Sequence, residues 1–214
     1  MATYEYCALE FLDMWMLHES RFRAAILGTS EDQQLEGLDK AARYFRIARN
    51  LHRKYDTDRG EPRYRPILDL IGTLATAPQT PAQTIHTVGS FAVGLSSRYG
   101  ERLTLSAASK ILWLLIRDPI IIYDGQAQWS LGTPYGDYGA FVTAWEQRWD
   151  QDQRAIEAAC ATLPNMFQYA LCGDLVSRDQ VQRISSARWF HRRALDVRLW
   201  TEGREANALS DELS

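Results

Sequence analysis

Leu105-Ser-Ala-Ala-Ser-Lys110-Ile-Leu-Trp-Leu-Leu-Ile-Arg-Asp-Pro-Ile-Ile-Ile-Tyr-Asp124-Gly-Gln-Ala-Gln-Trp129 is the stretch on which the fold turns. Its first part is apolar and free of Gly and Pro, which predicts a buried helix from about Leu105 to Arg117. Asp118-Pro119 ends it, because the ring of a proline disfavours helical backbone at the residue before it. Ile120 to Tyr123 then reads as a short extended return, too isolated to require a sheet. Asp124-Gly125 opens a further short helix with Asp124 as its N-cap.

Working outward, the pattern is helical almost everywhere. Tyr4, Ala8, Phe11, Leu12 and Trp15 recur at i, i+3, i+4 and i+7, one buried stripe of a first helix. A second amphipathic helix is expected over about Glu31 to Tyr55, with Leu38, Ala41, Phe45 and Ala48 inside and Arg43, Arg46, Arg49 and Arg53 on the opposite arc. Residues 56–66 read as a loop. Thr80-Pro81-Ala82-Gln83 is a capping-box pattern opening a helix that closes at Tyr99-Gly100. Gly132 to Gly139 reads as an ordered loop, Tyr138 to about Ala161 as a long helix, and Asp179 to about Glu202 as a last helix with a frayed tail from Gly203. The expected fold class is all-α, one domain over 1–214 with its lobes interleaved around a cleft and its central motif at 99–131.

The chain has 214 residues, 46% of them apolar and 24% charged, enough for one core or two small lobes and too apolar for a disordered protein. Apolar runs break within about ten residues, short of a membrane span. Cys7, Cys160 and Cys172 are odd in number and lack CxxC spacing, and the N-terminus lacks a basic, apolar leader. Reduced thiols and a cytoplasmic setting are therefore expected. His18, His52, His86 and His191 are scattered, so no metal site or other cofactor is expected, and no serine-nucleophile or phosphate-loop motif is present.

The formal net charge of −3 conceals segregation. Residues 40–65 carry nine cations against three anions, and residues 183–198 carry five arginines against Asp196. Such segments can meet a polyanion even in an acidic chain, because the local field decides; they also read as ordinary solvated helix faces. The cations are nearly all arginine. Only Lys40, Lys54 and Lys110 depart from that, and Lys110 alone sits beside an apolar run. An amine, unlike a guanidinium, can lose its proton on burial and become a nucleophile. A carboxylate at a helix N-terminus stays charged, so Asp124 would stabilise a cationic centre that the amine then captures. Read on the residues alone, the ordinary accounts come first: a lysine that snorkels or pairs with Asp118 or Asp124, and an aspartate that is only a helix cap.

Ser109-Lys110 opening an apolar helix, followed by a short proline-containing return to Tyr123-Asp124, resembles the helix–hairpin–helix DNA glycosylase superfamily, and within it bacterial proteins with an 8-oxoguanine-glycosylase-like fold. The resemblance implies that Lys110 is a Schiff-base nucleophile and Asp124 assists base departure. It implies double-stranded DNA with a flipped, modified base as the partner, no membrane, and a bifunctional glycosylase/AP lyase acting in repair or in antiviral defence. The chain departs from the family at the hairpin, where Arg102-Leu103-Thr104-Leu105-Ser106-Ala107-Ala108 replaces Leu-Pro-Gly-Val-Gly, and at Gln126, where the family often has a basic residue or His. By the same resemblance, Trp113, Tyr123, Gln126, Trp129, Trp189 and Phe190 are candidates for the base pocket, and Arg193 a weaker one. Arg43, Arg46, Arg49, Arg53, Arg98 and Arg102 are candidates for phosphate contacts. Oxidised guanine is the favoured target, with a modified phage-type base next. The alternative is a non-catalytic all-α module that binds DNA or a protein.

Overall fold

The computed structural model describes residues 2–51, 62–74, 76–100 and 104–212, with side chains as far as residue 208. No strand occurs among the described residues, and the molecule is all-α. The chain forms two compact units, one made of Met1–His18 with Tyr123–Ser214 and the other of Glu19–Ile122.

In the first unit α1 (Tyr4–Met14) is capped by Thr3, whose side chain accepts from the Tyr6 amide, and it buries Cys7, Ala8, Phe11 and Leu12. A π-helical turn, Trp15–Glu19, follows it. In the second unit come α2 (Ser20–Ile26), α3 (Glu31–Tyr44), α4 (Arg65–Gly72), α5 (Pro81–Tyr99) and α6 (Leu105–Ile116). The helix α2 packs on α3 and α6, and α5 packs on α4 and α6. Gly37 makes the crossing of α2 and α3 close: a Cβ there would stand 2.8 Å from the Ala25 Cβ. The capping box of α5 forms as read, with the Gln83 amide donating to Thr80 Oγ1 at 3.2 Å and the Thr80 amide to Gln83 Oε1 at 3.1 Å. Gly100, at φ 122°, closes that helix.

The chain then re-enters the first unit with α7 (Gly125–Ser130), α8 (Tyr138–Met166), α9 (Arg178–Ser185) and α10 (Arg188–Glu212). Here α1 packs on α8 and α10, and α7 packs on α10. Two short 3-10 turns, Phe167–Tyr169 and Gly173–Leu175, join α8 to α9. Asp13 fastens them, its carboxylate accepting from the Leu171 amide at 3.1 Å and the Cys172 amide at 2.8 Å.

Four boundaries differ from the sequence reading. The helix expected to reach Tyr55 stops at Tyr44. Arg46, at φ 57°, takes the left-handed position just past its end, the Ile47 amide reaches back to Ala42 O at 2.9 Å and the Arg46 amide to Arg43 O at 3.0 Å. Buried Ile47 and Leu51 prolong the helical spacing past that stop, which is why the pattern misleads. Residues 62–66 are not all loop: Arg65 and Pro66 begin α4, which buries Ile67 and Leu70, while 56–61 lie outside the described residues. The long helix runs past Ala161 to Met166, with Pro164 inside it. Finally, the last helix is two, broken at Ser186 and Ala187, and α10 does not fray at Gly203 but continues to Glu212.

Candidate active site

Lys110 is the sixth residue of α6 and only 8% exposed, flanked by buried Ser109 and Ile111. Lysine is seldom so buried, because desolvating an ammonium is costly. The helix around it is nearly all core: Ala107, Ala108, Leu112, Trp113 and Leu114 are each 2% exposed or less. Trp113 is thus packing within its unit. Arg23 of α2 donates to the Leu114 carbonyl at 3.3 Å, tying α2 to the end of α6. Burial, together with the Arg117 charge, holds the Arg23 guanidinium below its ordinary range, and burial does the same to Arg117. Arg117 itself has φ 65° and ψ −126°, a conformation proper to glycine, so the turn directly after α6 stores about 1–3 kcal/mol of strain.

Asp124 caps α7 as read: its carboxylate accepts from the Gln126 amide at 3.1 Å. Tyr123, beside it, is 4% exposed. Its ring meets Phe141 edge-on at 5.1 Å and Tyr138 at 6.2 Å, and its hydroxyl accepts from the Gly136 amide at 2.8 Å. Gln126 Oε1 accepts from Asn207 of α10 at 2.6 Å. Trp129, on the same short helix, is half exposed, and Tyr135 in the following loop is almost fully so.

The aromatic residues of α10 join a different cluster. Trp189 lies 4.5 Å from Trp15 and 6.1 Å from Phe11, and Phe190, fully buried, lies 4.8 Å from Phe11. Arg193 stands over the Phe11 ring, with Asp196 at 3.7 Å. Arg192 covers Trp145 at 4.3 Å and pairs with Glu146, while the Trp145 indole donates to Asp196 at 2.7 Å. These are the charged groups that let α10 cross the interior.

The arginines expected on one helical stripe do not share a helix. Arg43 is on α3 and pairs with Asp39 at 2.9 Å; Arg46 sits in the turn beyond; Arg49 belongs to a separate 3-10 turn, Ala48–Asn50. All three are exposed. Arg98, half buried on α5, donates to the Gly94 carbonyl of its own helix at 3.5 Å. Arg53, Arg102 and Leu103 lie outside the described residues; of the expected hairpin, residues 105–108 are already the first turn of α6.

Burial pushes the thiols of Cys7, Cys160 and Cys172 up to about 12, so none is a thiolate nucleophile at neutral pH. Among the described residues no three His, Cys, Asp or Glu side chains stand together as a metal site, and no helix is long and apolar enough to cross a membrane. Sequence reading missed Gly203, Glu202 and Asn207, which hold α7. A glycine inside a helical pattern was the available signal, since such a residue often marks close backbone approach. Comparison with protein-family models, with curated proteins and with solved structures finds no match.

Proposed function

We propose that the protein is a DNA glycosylase with AP lyase activity. The observation that carries the reading is Lys110, a buried lysine in an apolar helix that packs on the helix before it. Supporting it are the helix–short connection–helix order of α5 and α6, the N-cap carboxylate of Asp124 fourteen residues further on, and the strained turn at Arg117 between them. The roles of Lys110 and Asp124 are carried over from the resemblance, one residue in each unit, and are tested separately.

In this reading the Lys110 Nζ lone pair forms a bond to C1′ of a flipped nucleoside as the glycosidic C1′–N bond breaks. The base leaves with the electron pair of the broken C1′–N bond and takes up a proton. The role that the resemblance gives Asp124 is to offset the positive charge that develops on the sugar. Opening of the C1′–O4′ bond yields the protonated Schiff base. Loss of a C2′ proton then expels the 3′ phosphate and nicks the strand. Exposed Arg43, Arg46 and Arg49 supply charge for phosphate contact, and the target is a modified base, oxidised guanine first.

Borohydride trapping on duplex DNA with an abasic site tests the nucleophile. Wild-type protein is expected to give a covalent protein–DNA adduct, and Lys110→Gln none, with an unchanged helical spectrum. An adduct of equal yield from Lys110→Gln, or none from folded, DNA-bound wild type, refutes the lysine assignment. The second outcome leaves a monofunctional glycosylase or the non-catalytic binding module, and release of free base from a modified duplex decides between them.

A further inference from the structure

A helix of six residues has little stability of its own, so the place of α7 is set by what it packs against. Its main neighbour is α10. Three groups of one residue, Gln126, meet at this contact. The Gln126 amide is the donor that the Asp124 carboxylate accepts at 3.1 Å. The Gln126 carbonyl abuts Gly203 so closely that a Cβ on Gly203 would stand 2.6 Å from its carbon and 3.0 Å from the Gln126 Cα. The Gln126 side chain accepts from Asn207 Nδ2 at 2.6 Å, one turn along α10. At the other end of α7, Ser130 Oγ donates to Glu202 Oε2 at 3.1 Å. Glu202 is itself held by Arg198 at 2.6 Å and Arg148 at 3.0 Å. The backbone that orients Asp124 therefore rests directly on α10, with no side chain between them at Gly203.

We infer that Gly203 and Asn207 form a seat on α10 that sets the position of the Asp124 carboxylate, so that both are positioning residues for the proposed base-excision step. The inference rests on the glycosylase reading for its consequence in rate, but the seat itself is a property of the fold. A methyl group at Gly203 requires α7 to withdraw by about 1 Å to regain ordinary contact, and a misplacement of that size costs a catalytic group about 100-fold in rate. Loss of the Asn207 hydrogen bond alone leaves the backbone contact in place and costs about fivefold.

The experiment compares wild type, Gly203→Ala and Asn207→Ala by two readouts. One is the carbon-13 signal of the Asp124 carboxyl with the exchange protection of the Gln126 amide. The other is single-turnover base release from an 8-oxoguanine duplex, with duplex affinity measured alongside. Expected are a moved Asp124 signal and weakened Gln126 protection in both variants, with rate losses of about 100-fold and fivefold and affinity within twofold of wild type. If Gly203→Ala does not fold, Asn207→Ala carries the test. Unchanged Asp124 and Gln126 signals in a folded variant overturn the seat whatever the activity. Moved signals with wild-type release rates overturn its role in the reaction. A wild type that neither releases base nor traps on an abasic duplex overturns the glycosylase reading, and the seat then stands or falls on the Asp124 and Gln126 signals.

Discussion

Arg46 and Arg117 are the two described non-glycine residues with positive φ, and each ends a helix. An L side chain there crowds the backbone, which glycine does not. At Arg46 the side chain is exposed, so nothing offsets that crowding. Replacing Arg46 with Gly is expected to raise stability by about 0.5–1 kcal/mol, read as a higher urea midpoint at unchanged slope. A lower midpoint contradicts the left-handed cap. One stop was legible and the other was not, because sequence signals for a helix end depend on Gly or Pro. Asp118-Pro119 supplied one for α6, whereas the α3 end carries an arginine in the place usually taken by glycine. Lys110 was legible as an oddity, since its neighbours are apolar and its chain prefers arginine. That it is buried required the fold.

Among the elements, helices with strong local signals came out where they were read. The opening of α5 is an instance: Thr80, Pro81 and Gln83 act within four residues, so their geometry needs no distant partner. Thr80→Ala removes a hydroxyl that accepts from the Gln83 amide and is expected to cost about 1 kcal/mol, measurable as a lower denaturation midpoint. An unchanged midpoint means that the cap carries no net stability. The helix α4 was missed because it spans eight residues. Its apolar spacing covers barely two turns and follows a charged, glycine-containing stretch. The continuation of α10 was missed for a related reason. Gly203 reads locally as a breaker, and its use as a contact for α7 depends on residues nearly eighty positions away.

At the scale of the molecule, the first unit is joined by a polar network that no local pattern shows. Tyr4 of α1 donates to Asp152 of α8 at 2.5 Å, Arg148 of α8 meets both Asp152 and Glu202 of α10, and Ser130 of α7 meets Glu202. Burial alone would raise the Glu202 carboxyl, but the hydrogen bond from Arg198 and the Arg148 charge outweigh it and hold it below the usual carboxylate range. Asp152 is lowered in the same way, burial being outweighed by the Tyr4 and Arg148 hydrogen bonds. A carboxyl lowered in the folded state contributes stability that is whole above its unfolded value, near pH 4, and is lost as pH falls through the folded one. The urea midpoint is therefore expected to drop between pH 5 and pH 3. Glu202→Gln should lower it at pH 7 and flatten the drop. A midpoint independent of pH across that interval contradicts the network.

By itself the sequence determined that this chain is helical, where most of its helices begin, and which lysine and which capping aspartate stand apart from their surroundings. These follow from periodicity, caps and composition, each set by residues within a turn or two of one another. The tertiary structure alone decided the true end of α3, the length of α10, the scattering of the expected arginine stripe and the seating of α7 on Gly203. The physical reason is shared. Each turns on one backbone meeting another, or on one residue in a left-handed conformation, and packing between residues far apart in the chain selects such contacts where local preference does not.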